Sequence, residues 1–126
     1  MGALTANMMF EQGNEVTVID KNEESFNRLS KKFTGKKIVG NGLEISTLER
    51  AGLATTDAFV ATTNYDTRNI LAATIAKNNF SVTKVIARFY DGERAKVFSN
   101  LGIETICVTN LGSEKVCDLI SGKAND

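Results

Sequence analysis

Apolar and polar positions along this chain divide it into helices and strands in strict alternation. Short apolar runs closed by polar residues predict five strands, at 15–20, 37–40, 57–62, 84–88 and 104–108. Capping residues and glycines delimit predicted helices at 3–10, 22–33, 43–51, 66–78, 92–101 and 111–120. Strands rich in Val, Ile and Ala are typical of burial on both faces. The pattern therefore predicts an α/β fold, with a doubly wound parallel sheet between layers of helices.

Length and composition predict one globular domain over residues 1–126. The apolar content is 42%, and no linker or repeat interrupts the pattern. Fifteen acidic residues balance fifteen basic ones and no basic run exceeds two lysines, which argues against a nucleic-acid groove. No apolar stretch approaches the roughly 20 residues of a membrane span, and no secretory signal is evident. We therefore expect a cytoplasmic protein without a nucleic-acid partner.

The segment from Gly2 to Asp20 carries the most specific chemical signal. A helix opens on Gly2, and the apolar strand after it ends in Asp20. This order is typical of the first half of a Rossmann-like dinucleotide-binding unit, where the acid accepts hydrogen bonds from ribose hydroxyls. The sequence therefore predicts adenosine recognition. The first strand of such a unit, and the first two glycines of its G-x-G-x-x-G motif, would lie upstream of Met1.

Ligands of doubly wound sheets bind beyond the carboxyl ends of the strands, so the residues after each strand are the candidates. They are small and polar, and suit hydrogen bonds to sugar, base edge and phosphate. With Gly2, the candidate site consists of Asp20, Lys21, Asn41, Gly42, Thr62, Thr63 and Arg88. Thr109 and Asn110 follow the last strand in the same way.

Most of these candidates have a structural interpretation as well. Asp20 is either a ribose ligand or the residue that starts the turn into the next helix. Asn41-Gly42 is a turn dipeptide in its own right, and Thr62 and Thr63 are also suited to capping the next helix.

Arg88 has two interpretations of equal standing. A guanidinium at the end of a buried strand suits phosphate, and surface pairing with Asp91 or Glu93 is the alternative. Cys107 and Cys117 are predicted to be reduced core thiols, because the sequence has no other cysteine and no histidine to share a bridge or a metal.

A series of short motifs follows in order along the chain: residues 16–23, 39–42, 48–53, 57–63, 69–73 and 85–88. In this order and spacing the series resembles the nucleotide-binding domain of Trk-type potassium-uptake regulators, the TrkA-N, RCK or KTN family. The resemblance covers nearly the whole chain.

The resemblance implies a regulatory domain rather than an enzyme, with no catalytic or metal-binding residue. An adenine nucleotide, NAD(H) or ATP/ADP, would bind and gate a membrane potassium transporter or channel. Gly2 would be the third motif glycine, Asp20 the ribose ligand and Asn41 the neighbour of adenine, where Asp is commoner. Thr62 would form the floor of the site and Arg88 would face phosphate.

Two departures from the family pattern carry expectations of their own. The first strand is normally central, so its loss would leave two half-sheets with unpaired inner edges. Either this chain is an N-terminally truncated form of a longer protein, which is the interpretation we favour, or another segment fills the place of the missing strand. The second, small-ligand-binding domain of many relatives is also missing, which suggests pairing with a longer TrkA-like subunit.

The alternative function is a fragment of an NAD-dependent oxidoreductase. Hydride transfer usually needs a placed proton donor or acceptor, and the chain has no histidine. Tyr65 and Tyr90 are followed four residues later by Asn69 and Arg94, so the Tyr-x-x-x-Lys pair of short-chain dehydrogenases is absent. The sequence also has no phosphate loop and no metal-ligand pattern. The regulatory function is therefore favoured.

The last predicted helix, 111–120, carries an apolar stripe of Val116, Leu119 and Ile120. The stripe either covers the last strand or forms a contact between subunits. Because the family assembles through helices flanking its last strands, the resemblance favours a homo-oligomer or a hetero-oligomer beside the membrane subunit.

Overall fold

In the computed structural model, which describes residues 1–123, helices and strands alternate as the sequence predicts. The strands are β1 Thr17–Asp20, β2 Lys36–Val39, β3 Ala58–Ala61, β4 Lys84–Phe89 and β5 Glu104–Cys107. The α-helices are α1 Gly2–Glu11, α2 Ile45–Arg50, α3 Asp66–Phe80, α4 Gly92–Ser99 and α5 Val108–Ile120. Two 3-10 helices, Glu23–Arg28 and Leu53–Thr55, complete the described part of the chain.

The strands form two separate parallel sheets. β1 pairs with β2, and β3, β4 and β5 pair in that order. The registers Asp20↔Val39, Ala61↔Ala87 and Phe89↔Cys107 align the carboxyl ends within each sheet. The α/β class and the division into two half-sheets are both confirmed.

Each sheet has its own hydrophobic cluster. The larger one packs α2, α3 and α4 on the three-stranded sheet, around the fully buried Leu48, Val85 and Phe89. The smaller one packs α1 and the first 3-10 helix on β1, through Ala6 and Phe26. Ile19 of β1 also packs against the larger cluster, which connects the two halves.

The prediction of a helix at 22–33 is wrong, because only Glu23–Arg28 is helical and this segment is a 3-10 helix. Asn22 caps it as expected, accepting a hydrogen bond from the Glu24 amide. The side chain of Asn7 on α1 accepts the Ser30 amide at 2.9 Å, which uses the donor that a continuing α-helix would turn back to the Phe26 carbonyl. A contact distant in sequence therefore ends the helix.

Two further expectations need correction near the C-terminus. α5 begins at Val108, directly after β5, and not at 111. Both cysteines are free thiols, as predicted, but Cys117 is exposed and Cys107 half-buried, so neither is a core residue.

Candidate functional site

One groove of about 1480 Å³ contains all eight candidate residues in its lining. They are Gly2, Asp20, Lys21, Asn41, Gly42, Thr62, Thr63 and Arg88. The groove runs along β1 and β3 and opens where strands β1 to β4 end. Thr109 and Asn110 lie elsewhere, because the early start of α5 places them in its first turn.

Asp20 lines the groove and uses one of its carboxylate oxygens within the chain itself. Its Oδ1 accepts the Asn22 amide at 2.9 Å, which is the turn role expected of a strand-end Asp. Among the described residues, no partner is found for Oδ2. The structural and ribose-binding interpretations of Asp20 are therefore compatible, one oxygen for each. The exposed Lys21 next to it lies on the same groove.

Asn41 has a similar divided role. Its Oδ1 accepts the Leu43 amide at 3.0 Å and so holds the turn after β2. The Nδ2 group is left as the hydrogen-bonding group that Asn41 can offer to a ligand. At Gly42, a Cβ atom would meet nothing within 4 Å, so the protein itself has room for a side chain there.

Gly2 and Thr62 bring the start of α1 against the end of β3. A Cβ atom at Gly2 would lie 2.8 Å from the Thr62 hydroxyl, so a side chain at this position would require Thr62 to shift. No side chain of residues 1–123 caps the start of α1. The first backbone hydrogen bond of this helix is donated by the Thr5 amide to the Met1 carbonyl. The earlier amides of α1 are thus available at the groove.

Thr63 is held by Asn69, a residue that the sequence analysis did not select. Asn69 is fully buried, with 0% of its surface exposed. Its Oδ1 accepts the Thr63 amide at 2.8 Å and the Thr63 hydroxyl at 2.6 Å. Its Nδ2 donates to the Thr63 carbonyl at 3.0 Å and to the Arg88 carbonyl at 2.8 Å. The sequence did contain a signal for Asn69, because this amide side chain lies on the face of the predicted helix 66–78 that packs against the core.

Asp66 makes a second connection between the same two loops. The N-cap of α3 is Tyr65, with no side-chain cap, so neither Thr62 nor Thr63 has the capping role considered for it. The Asp66 carboxylate instead accepts the amides of Tyr90 and Asp91, at 2.9 and 3.2 Å. The first two turns of α3 therefore fix the segments after β3 and β4 relative to each other.

Arg88 has no carboxylate partner among residues 1–123. Asp91 caps α4 by accepting the Glu93 and Arg94 amides, and Glu93 pairs with Lys96 at 3.3 Å. The Arg88 guanidinium instead stacks over the Tyr90 ring at 4.7 Å and donates to its hydroxyl. Its Nε is buried and, within residues 1–123, has no hydrogen-bond partner. Arg88 lines the groove and none of the described carboxylates pairs with it, which favours an anionic ligand over the surface-pairing interpretation.

Arg68 is a second cation on this groove that sequence reasoning missed. It lies in the first turn of α3 and stacks over the Tyr65 ring, 4.7 Å from its centre. Both Arg68 and Tyr65 line the groove with Arg88. The phosphate-suited end of the groove therefore carries two arginines, each supported by a tyrosine ring.

Comparison with known proteins gives the family. The family model for the TrkA-N domain matches residues 1–109. The chain belongs to the TrkA-N domain family. It is 37% identical over 116 residues to "Trk system potassium uptake protein TrkA" of Streptomyces coelicolor, covering 92% of this chain and 52% of that protein. A TrkA homolog of Methanothermobacter thermautotrophicus is 31% identical over 106 residues, covering 84% and 49% of the two chains. The chain spans about half the length of these relatives.

A solved structure gives the fold independently. It is the NAD(P)-binding domain of an exopolyphosphatase-related protein from Archaeoglobus fulgidus, with a TM-score of 0.78. The two chains share 17% identity, and the match covers 96% of this chain and 90% of the other. This TrkA-N chain therefore has the Rossmann-like fold predicted from its sequence. Within residues 1–123, no helix combines the length and apolar character needed to cross a bilayer.

Proposed function

We propose that this TrkA-N chain is a regulatory unit of potassium transport that binds an adenine nucleotide in the groove at its strand ends. The observation that carries the proposal is the convergence of all eight candidate residues on one groove. The polar groups along that groove suit, in turn, the base, the ribose and the phosphates of a nucleotide. A carboxylate and an amide lie after β1 and β2, and a guanidinium that pairs with no carboxylate of residues 1–123 lies at the end of β4.

In the proposed complex, the free Oδ2 of Asp20 accepts hydrogen bonds from ribose hydroxyls. The adenine lies beside the Asn41-Gly42 turn, where Nδ2 of Asn41 donates to a ring nitrogen. Phosphate meets the amides at the start of α1 and the Arg88 guanidinium, because both favour negative charge. NAD(H) and ATP or ADP all contain the adenosine that this arrangement recognises.

Discrimination between NAD and NADP tests the ribose assignment. The Asp20 carboxylate repels a 2′-phosphate, so calorimetric titration should give tighter binding of NAD, ATP and ADP than of NADP. Asp20→Asn is a matched variant, because its side-chain oxygen can still accept the Asn22 amide while the charge is removed. Asp20→Asn should reduce the difference in binding affinity between NAD and NADP. A clear preference of the unmodified chain for NADP would refute the assignment.

The cellular role rests on the names of the relatives, which are potassium-uptake proteins. In this proposal the chain is cytoplasmic, acts by binding, and reaches the inner face of the membrane through a potassium-transport subunit. It works as a homo-oligomer or together with a longer TrkA-like subunit. Nucleotide-dependent binding of this chain to the cytoplasmic face of its cognate transport subunit, lost in the Arg88→Ala variant, is the expected result.

The oxidoreductase alternative is separated by an assay for turnover. If the chain regulates by binding, it should bind NADH without oxidising it in the presence of small carbonyl compounds. Steady oxidation of NADH by the pure protein would replace this proposal with the alternative.

A further inference from the structure

Asn41 is the only asparagine of the sequence that is followed by glycine. An asparagine side chain loses ammonia when the backbone nitrogen of the next residue attacks its Cγ atom and closes a cyclic imide. A side chain on that next residue hinders the attack, and Gly42 has none. Both residues line the groove. The chemistry of this turn therefore bears directly on the candidate site.

The attacking atom, the backbone nitrogen of Gly42, is not engaged by the fold. Within the part of the chain that the structure describes, its N–H has no hydrogen-bond partner. A Cβ atom on Gly42 would meet nothing within 4 Å, so the imide ring has room to close. Asn41 and Gly42 are half-buried on the open groove, which gives water access to both. Water can therefore take up the proton that the attacking nitrogen loses.

The hydrogen bond that holds the turn also activates the side chain that is attacked. The Leu43 amide donates to Oδ1 of Asn41 at 3.0 Å. That oxygen takes on negative charge when the Gly42 nitrogen adds to Cγ, so the Leu43 amide lies where an oxyanion develops. The leaving group is Nδ2 of Asn41, for which residues 1–123 provide no acceptor. Its departure as ammonia breaks no described contact of the fold.

We propose that Asn41 is a site of spontaneous deamidation, which converts an amide on the groove into a carboxylate. The bond between the Gly42 nitrogen and Cγ forms, the bond between Cγ and Nδ2 breaks, and ammonia leaves with the proton of the Gly42 N–H. A water molecule then opens the imide, which leaves aspartate or isoaspartate in place of Asn41. The net reaction consumes the amide and water, and forms a carboxylic acid and ammonia.

Deamidation changes the hydrogen bonding offered to a ligand, and this consequence rests on the proposed function. The aspartate product keeps an oxygen that can accept the Leu43 amide. It lacks Nδ2, the donor proposed to meet an adenine ring nitrogen. It also adds a negative charge to a groove that already contains the Asp20 carboxylate, which disfavours an anionic nucleotide. We therefore expect the deamidated chain to bind nucleotide more weakly.

The test follows the purified chain during incubation at mildly alkaline pH. Peptide mapping by mass spectrometry should find conversion of amide to acid at Asn41 before any other asparagine, with release of an equal amount of ammonia. Gly42→Ala is the matched variant, because its methyl group has room in the fold but hinders the attack. It should slow the conversion several-fold. The folded chain should convert at least as fast as the same chain unfolded in urea, because the Leu43 contact exists only in the fold.

Conversion confined to the unfolded chain would overturn the proposal, because the turn would then protect Asn41. Equal rates at Asn41 and at Asn78, an exposed asparagine followed by another asparagine, would overturn it as well. Asn41→Asp reproduces the aspartate product and should bind ATP several-fold more weakly, and unchanged affinity would refute the effect on the ligand. ATP should also slow the conversion in the unmodified chain. Conversion at Asn41 that ATP does not slow would support the modification and contradict the proposed position of adenine.

Discussion

At the scale of single residues, Gly42 gives a test that separates the ligand site from the fold. A Cβ atom there would meet nothing within 4 Å, so Gly42→Ala should change the free energy of unfolding by less than about 0.5 kcal/mol. If adenine lies against this turn, the added methyl group should still weaken nucleotide binding. Urea denaturation and calorimetry measure the two effects. Gly2→Ala is the contrast, because its Cβ would collide with Thr62 and destabilise the fold. Unchanged affinity in Gly42→Ala would remove Gly42 from the site.

Arg88 gives the second test at this scale. Its guanidinium lines the groove and pairs with no carboxylate of residues 1–123, so we expect it to bind phosphate. Arg88→Ala should weaken binding of ATP or NAD by roughly 1.5–3 kcal/mol, the range for a charged hydrogen bond, and weaken adenosine much less. Arg94→Ala, on α4 outside the groove, is the matched control and should weaken neither. Equal losses of nucleotide and adenosine in Arg88→Ala would show that Arg88 supports the fold instead.

Residue types after strands were readable from the sequence, because a parallel sheet brings those positions to one edge. The hydrogen-bonding role of each side-chain atom was not. Asp20 and Asn41 each accept a backbone amide of their own turn with one side-chain oxygen, and these contacts depend on local backbone geometry. Asp91 and Glu93 lie close to Arg88 in the sequence. In the structure, however, Asp91 caps α4 and Glu93 pairs with Lys96, so neither pairs with Arg88.

At the scale of elements, α3 organises the phosphate-suited end of the groove through Asn69. Asn69→Leu would leave the Thr63 amide and the carbonyls of Thr63 and Arg88 without their partner. The free energy of unfolding should fall by about 2–4 kcal/mol, because unpaired buried polar groups are costly. Asn78→Leu, an exposed position on the same helix, is the control. Equal and small effects in urea denaturation would show that the network contributes little to stability.

Element positions were predicted where the local pattern decides them, and missed where a distant contact decides. The strands and α1, α3 and α4 follow from periodicity and capping. The segment at 22–33 follows the same local rules, yet Asn7 of α1 captures the Ser30 amide and ends the helix early. No local pattern contains that contact.

At the scale of the whole molecule, α5 packs only loosely on the rest of the chain. None of its residues is buried, and Leu119 and Ile120 are 64% and 80% exposed. The stripe therefore does not serve to cover the last strand, and we expect it to lie between subunits. Leu119→Glu should shift sedimentation at micromolar concentration toward a smaller species. Leu111→Glu makes the same substitution at an exposed position on another face of the helix and should leave assembly unchanged. A monomer in both variants and in the unmodified chain would exclude this interface.

The division into two half-sheets was predicted at this scale, because a central strand of the Rossmann-like order is not in the sequence. The arrangement of the groove between the half-sheets was not, since it depends on how α1 and α3 pack.

Nuclear magnetic resonance of the backbone amides during titration with ATP and with NADH tests the central claim most directly. The account predicts saturable shifts in the segments that follow β1, β2, β3 and β4, around Asp20, Asn41, Thr62 and Arg88. It predicts none at Phe10, Thr34 and Gly35, which line a second, smaller cavity of about 280 Å³ at the amino ends of β1 and β2 and do not line the groove. Shifts confined to that second cavity, or no saturable shift with either nucleotide, would contradict the account.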